Sequence, residues 1–380
     1  MFSNGSPVSA FPAWPASFGD QTNLPAYESA QFEYQVNDKT EHTSVKKIPG
    51  GNTLHGTYNW AGASDSYFAA AFIPDRPDDL SIVTLHYGLD IPDSGKPDQT
   101  KPVDVIGVAA GHPGQTSTRL FAGPKSVQVL ESISVPTISG AERDLRSMVN
   151  FGFFGVIARP LFLWLRWMNT YVHNWGWSIV LQTLIITLAL APLTVYQMKS
   201  AIKMQKVQPQ MKAIQEKYKK YSMKDPRKQE MNKEIADLYK EHKVNPVGGC
   251  LPLLIQMPFL YAYYRMLSVA IDLRQAHWLW IHDLSAADPF YLLPLLMAGS
   301  MFLSQKMTPQ MGMDPAQQRM MNIMMPVMMG VLFFKFPAGL NLYYAESNLI
   351  RIVQQAIMNR TELGREMREI AAKRARKRDK

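Results

Sequence analysis

Trp177 to Val195 is a run of nineteen residues without a charge, close to the ~20 that carry a helix across the hydrocarbon core of a bilayer. Such a stretch constrains the chain toward a membrane fold. Further apolar runs follow at Cys250–Ala270, interrupted only by Arg265, at Pro289–Gln305, at Met320–Phe334, and at Ala338–Met358, which contains Glu346 and Arg351. The expectation is an α-helical polytopic membrane protein with five transmembrane helices, the third and fourth shorter than a usual span.

Charge is segregated to match. Residues 1–150 carry ten Lys/Arg against sixteen Asp/Glu, a net charge of −6, and the remainder holds thirty against fifteen, a net of +15. Gln197–Gly249 has thirteen bases against six acids, while Ile271–Phe290 has Arg274 alone against Asp272, Asp283 and Asp288. Because basic loops stay on the cytoplasmic side, the 197–245 loop and the 359–380 tail read as cytoplasmic. The N-terminal part and the 271–290 loop then lie outside. Cys250 is the single cysteine, so neither a disulfide framework nor a multi-thiolate zinc site is available. Met1–Asp20 lacks the basic and apolar regions of a signal peptide.

The soluble part reads as β-rich. From Asn52 to Val135 short β-branched segments such as "LSIVTLHYGLDI" and "VDVIGVAAG" alternate with Pro-Asp and Asp-Ser-Gly turns, as in a sandwich. The first fifty residues look irregular. In residues 151–173, Leu161, Leu165, Met168 and Val172 recur at helical spacing beside Trp164 and Trp167, which suits an amphipathic helix in the membrane interface. A helix covering the β domain is the competing reading. Lys199–Lys220 and Pro226–Lys243 read as a helical hairpin with alternating charges and no strong apolar core, Asp225 capping its second arm.

Little in this sequence points to catalysis. His277, His282 and Asp283 have no helical metal-ligand spacing and no third partner nearby, and Ser-nucleophile and phosphate-loop motifs are lacking. The expectation is a non-enzyme without metal or cofactor. The spans are instead polar and rich in methionine. Thr183, Thr187 and Thr194 share one face of the first span with Gln182 nearby, either as glue between helices or as a polar lining. Tyr261, Arg265 and Ser268 share a face of the second. Met320, Met321, Met324, Met325, Met328 and Met329 crowd the fourth, and methionine adapts to side chains of many shapes.

The segments "NWGWSIVLQTLIITLALAPLT", "KVNPVGGCLPLLIQMPFLYAYY", "DLRQAHWLWIHDLSAADPFYLLPLLM", "FLSQKMTP" and "DPAQQRMMNIMMPVMMGVLFFKFPAGLNLYYAESNLIRIVQQ" resemble, in unbroken order, the signatures of the YidC/Oxa family of bacterial membrane protein insertases. "YFAAAFIP" is similar to part of that family's periplasmic β-sandwich. The resemblance implies a periplasmic domain over 1–150, an interfacial helix over 151–173, an insertase core over 174–358 and a basic cytoplasmic tail over 359–380, all in the bacterial inner membrane. It implies a substrate groove formed by Gln182, Thr183, Thr187, Tyr261, Arg265, Tyr343, Tyr344 and Glu346, and a hydrophobic slide of Met257, Met320, Met324 and Met328. Nascent membrane proteins are the implied clients, and the ribosome, the Sec translocon and anionic lipids the implied partners.

Two departures from the family pattern stand out. Its signal-anchor helix and the first half of its periplasmic domain have no counterpart, so the N-terminal domain is expected to be a shortened one. The arginine usually found four residues after the position of Thr183 is Thr187 here, and Arg265, paired with Glu346, is the expected replacement. A small-solute transporter would want matched, broken helices in two halves. A membrane anchor for a periplasmic binding domain is the other rival. Arg360, Arg365, Arg368, Lys373, Arg374, Arg376, Lys377, Arg378 and Lys380 suit a polyanion such as ribosomal RNA. Removal of residues 361–380 is expected to cut ribosome cosedimentation about tenfold, with the remainder weakening as salt rises. Unchanged binding rules the tail out.

Overall fold

The computed structural model describes residues 2–369 except 4–5, 8–9, 17, 19–29, 38, 45–46, 49, 94–95, 113–116, 138–139, 222–224, 245–250, 308–314, 363 and 367–368. Cys250 and residues 370–380 of the basic tail thus lie outside the described residues. The chain forms two compact units, Met1–Phe151 with Ser268–Asp272, and Gly152–Leu267 with Leu273–Lys380.

The first unit is antiparallel β. After a short hairpin of β1 (Phe2–Ser3) and β2 (Ser6–Pro7) come β3 (Ala13–Trp14), β4 (Gln31–Val36), β5 (Lys39–Ser44), β6 (Thr53–Gly56), β7 (Trp60–Ser64), β8 (Phe68–Pro74), β9 (Leu80–Asp93), β10 (Lys96–Gly111) and β11 (Thr118–Pro124). A short helix α1 (Val127–Glu131) and the strand pair β12 (Ser134–Val135) and β13 (Arg143–Asp144) follow. One sheet has the order β3-β10-β9-β6 and the other β11-β8-β7-β4-β5. Strands β9 and β10, which contain the segments expected to be β, pair with each other as an antiparallel hairpin. Leu80, Ile82 and Thr84 of β9 and Ile106, Val108 and Ala110 of β10 lie on one face of their strands and are buried, and the intervening Ser81, Val105 and Ala109 are buried as well. The apolar members of that face share a core with Phe32, Ala61, Ala63 and Phe72 of the other sheet.

The expectation of irregularity before residue 50 fails at β4 and β5, which pair from Gln31↔Ser44 to Val36↔Lys39. Their polar sequences, "QFEYQV" and "KTEHTS", conceal the strands because one position is a buried charge. Glu33 is fully buried and its carboxylate accepts from Ser64 Oγ at 2.6 Å. The same oxygen meets His42 Nδ1 at 3.2 Å and Lys125 Nζ at 3.8 Å. Lys125 is itself buried and donates to the Asp65 carbonyl at 3.0 Å. Burial pushes the Glu33 carboxyl up, but the Lys125 charge, His42 and Ser64 outweigh it and hold the group below the ordinary carboxylate value.

The second unit is helical: α2 (Gly155–Val172), α3 (Trp175–Ala189), α4 (Ala191–Lys217), α5 (Arg227–Glu241), α6 (Leu251–Val269), α7 (Leu292–Met307), α8 (Pro315–Phe333) and α9 (Ala338–Arg360). Helix α6 ends across the division, with Ser268 and Val269 in the first unit. Helices α3, α6, α7, α8 and α9 fall on the apolar runs. Among the described residues no helix is long and apolar enough to cross a membrane. The run Trp177–Val195, expected as one helix, is divided at Leu190 between α3 and α4. Pro192, at the start of α4, lacks the N–H that would continue the ladder and its ring would crowd the Leu188 carbonyl. Helix α3 is left with 15 residues, about 22 Å at ~1.5 Å per residue. Helix α9 is long enough but carries Glu346 and Arg351.

Helices α4 and α5 form the hairpin. Against expectation it has a small apolar core of Met204, Val207 and Val244 under Leu238 and Tyr239. The Asp225 carboxylate accepts from Arg227 N at 3.0 Å, but α5 begins at Arg227 with Pro226 at its N-cap, one residue later than expected, so Asp225 stands just before the cap. Glu234 accepts from Lys217 Nζ and Tyr218 Oη, each at 2.7 Å.

The Glu33 cluster yields a stability test. Glu33→Gln leaves Lys125 buried without its counter-charge and is expected to cost about 3 kcal/mol in urea unfolding followed through Trp60. The Glu33 carboxyl is lowered by folding, so its contribution is complete above the unfolded value of 4.5. It disappears as pH falls through the folded value. Wild type and Glu33→Gln should therefore converge in acid, and a constant gap across that range contradicts the assignment.

Candidate functional site

Within the helical unit, α3, α7 and α9 carry exposed apolar stripes and bury several polar side chains. Leu181, Leu184, Ile185 and Leu188 of α3, Leu295, Leu296, Phe302 and Leu303 of α7, and Leu349, Val353 and Ile357 of α9 are exposed, whereas Gln182, Thr183, Ser300, Asn341, Ser347 and Asn348 are buried. Ile179, Met297, Leu340 and Leu342 are buried beside them, so the interior is mixed, and the exposed apolar stripes are what depart from the pattern of a water-soluble bundle.

Gln182 sits at the centre of the buried polar residues with no exposed surface. Its Nε2 donates to the Leu161 carbonyl of α2 at 2.9 Å, and its Oε1 accepts from Tyr263 Oη of α6 at 3.1 Å. The Tyr263 ring stacks on Tyr343 of α9 at 3.9 Å between centroids. Thr183 donates back to the Ile179 carbonyl at 2.7 Å, a local bond that satisfies its hydroxyl inside a helix. That hydroxyl also interacts with Glu346 of α9 and with Tyr263. The remaining Glu346 oxygen, Oε2, is shielded from solvent and has no hydrogen-bond partner among the described residues. A turn further along, Gln354 Nε2 donates to the Thr187 carbonyl at 3.3 Å.

Gln182, Thr183, Tyr343 and Glu346 thus gather in one cluster, with Thr187 at its edge. Tyr344 turns aside to stack edge-on against Phe333 at 4.7 Å. Tyr261 and Arg265 do not join it. Tyr261 packs against Phe154 at 5.5 Å, and Arg265 Nε lies 3.4 Å from where a Cβ on Gly152 would stand. Arg265 is two residues, about 200° of helix, from the Tyr263 that faces Gln182. The expected Arg265–Glu346 pair is therefore absent, since Glu346 interacts with Thr183 and Tyr263. Tyr263 and Gln354 were missed because nothing in "FLYAYYR" distinguishes one tyrosine, and a glutamine near a helix end reads as solvated. Met257, Met320, Met324 and Met328 are all more than half exposed.

The connection before α7 closes over α3. Asn174 Nδ2 donates to the His277 carbonyl at 3.0 Å, and a Cβ on Gly176 would stand 2.2 Å from the Trp278 ring, so only glycine fits there. Asp288 accepts from Trp280 Nε1 at 3.1 Å and from Leu293 N at 2.7 Å, capping α7. The His277 and His282 rings meet edge to face at 5.4 Å, and Asp283 is committed to Ser285. No group of three metal-ligating side chains occurs among the described residues.

Residues 167–365 match the family described as 60Kd inner membrane protein, and residues 18–164 match the YidC periplasmic domain. The chain belongs to the YidC family. The membrane protein insertase YidC of Geobacter sulfurreducens is 37% identical over 85% of this chain and 57% of its own length. That of Paraburkholderia xenovorans is 41% identical over 88% of this chain and 57% of its own. The chain thus spans little more than half the length of these curated relatives. A crystal structure of an active YidC insertase with its first transmembrane domain resolved aligns with a TM-score of 0.44 at 23% identity, covering 87% of this chain and 83% of that one. The two family matches correspond to the β-rich and helical parts.

The Tyr263–Gln182 bond can be tested against a neighbouring tyrosine. Tyr263→Phe strands the Gln182 carbonyl and is expected to cost about 1–3 kcal/mol. Tyr261→Phe, at a 43% exposed position, should cost under about 0.5 kcal/mol. Thermal unfolding in detergent reads both, and equal losses contradict the hub.

Proposed function

We propose that this chain is a non-enzymatic membrane protein insertase, in which the polar cluster between α3, α6 and α9 receives segments of nascent membrane proteins. The observation that carries this reading is the combination of exposed apolar stripes on α3, α7 and α9 with a polar set, Gln182, Thr183 and Glu346, between α3 and α9. In lipid, an unsatisfied backbone or side-chain polar group costs several kcal/mol. A hydrated recess at half depth shortens the distance over which a client meets that cost. On this reading α3, α6, α7, α8 and α9 are the five spans. Their shortness becomes functional, because a span below the bilayer's hydrophobic thickness thins the lipid around it.

The exposed methionines Met257, Met320, Met324 and Met328 fit a slide for clients that share apolarity but no sequence, since the thioether side chain is flexible and polarizable. The energy comes from the client's own transfer into lipid, so no nucleotide enters the scheme. The charge distribution supports an external β domain and a cytoplasmic α4–α5 hairpin and tail. The ribosome would then meet the basic cytoplasmic surface, with anionic lipids and the Sec translocon as further partners. Exposed Val156, Trp167 and Tyr171 on α2 suit a helix lying in the interface.

Reconstituted alone into liposomes, the chain is expected to insert a small two-span client without nucleotide, and removal of residues 1–150 should leave that activity within about twofold, because the β domain takes no part in the step. Protease protection of the client reads the result. Insertion no better than in empty liposomes refutes the proposal.

A further inference from the structure

Glu346 holds an acidic group inside an apolar-faced bundle without a counter-ion. The side chain is half-buried, its carboxyl interacts with the Thr183 hydroxyl, and Oε2 has no hydrogen-bond partner among the described residues. Among the described residues no cation on the neighbouring elements pairs with it. Arg265 lies beside Gly152, on the side of α6 away from Tyr263. Arg351 is five residues on, about 140° round α9, where its electrostatic neighbours are Tyr343 and Tyr344. Lys335 is exposed before the start of α9.

The surroundings of Glu346 are open on one side. On α9, Leu349 and Val353 are exposed at 42% and 57%, and on α3 Leu184 and Leu188 are exposed at 38% and 55%. At ~100° per residue, Glu346 lies between the exposed Leu349–Val353 stripe and the buried Tyr343. Thr183 and Thr187 likewise border the exposed Leu184 on α3. The carboxyl therefore stands at the lateral edge of the α3–α9 seam, where an apolar helix approaching from outside would lie. Rotation about the Glu346 side-chain bonds exchanges the Thr183 hydroxyl for a group at that edge. A buried carboxylate without a partner is unfavourable, and a basic side chain in the same medium is equally so, so each relieves the other.

We propose that Glu346 is a cation-accepting position that selects clients carrying a lysine or arginine within an apolar helix. The assignment rests on the insertase reading for its biological setting, but the binding it describes can be measured separately. Glu346 would form a charge-assisted hydrogen bond with the client's ammonium or guanidinium, with Thr183 as the resting partner.

The test uses the full chain in detergent micelles and two synthetic apolar helical peptides that differ only in one central residue, Lys or Met. Wild type is expected to bind the Lys peptide about tenfold more tightly, the scale of one hydrogen bond to a charged group. Glu346→Gln keeps the size of the side chain and should abolish the difference while leaving the Met peptide within about twofold, and Glu346→Asp should recover part of it. Equal weakening for both peptides makes Glu346 structural and overturns the proposal. So does an unchanged Lys preference in Glu346→Gln. A response to sodium concentration with no Lys/Met difference marks a monovalent-ion site and overturns it too. Liposome insertion of clients with the same Lys or Met substitution is the second readout. Charge-dependent peptide binding without insertion of either client upholds the cation site and removes the insertase reading. Insertion of both clients to the same extent, with no binding difference, does the reverse.

Discussion

The hydrogen bonds of Gln182 hold the helical unit together. One amide joins three helices, taking a backbone carbonyl of α2 with its nitrogen and a tyrosine of α6 with its oxygen. Through the stacked Tyr263 and Tyr343 the same connection reaches α9. Both atoms of this amide are satisfied, and the polar cluster can therefore persist without flooding or collapsing. Thr183, one residue on, is kept on the Glu346 side by the geometry that Gln182 fixes.

The β-rich unit solves the opposite problem. Its core is apolar, yet Glu33 is buried at the point where β4 meets β5 and β7. Lys125, from beyond β11, supplies the compensating charge. A buried pair of this kind contributes little net stability, but removing either member is costly. It thereby fixes which strand lies where.

The five apolar runs and the 199–243 hairpin were legible in the sequence because length, charge and periodicity are local properties. The β character of the segments that became β9 and β10 was legible for the same reason. What could not be read depended on partners distant along the chain. β4 and β5 were hidden because Glu33 counts as a surface residue until Lys125 is placed beside it. Arg265 was assigned to the cluster by counting depth along α6, which ignores the 200° that separate it from Tyr263. Gln182 and Thr183 are both buried, but composition alone could not distinguish glue from lining. The structure uses Gln182 as the first and leaves Glu346, beside Thr183, with an unused oxygen.

The break at Leu190 has a mechanical consequence. Only that residue separates α3 from α4, and its N–H still bonds back to Ile186. The joint therefore bends but does not swivel freely. Helix α4 has 27 residues with Pro209 inside it, so the stretch before that proline, about 27 Å at ~1.5 Å per residue, is its stiff arm. A tilt of about 10° at its base sweeps the end of that arm through roughly 5 Å. Thr187 lies three residues before the pivot, so a force applied to the end of that arm is delivered at the foot of the polar cluster with a large mechanical advantage.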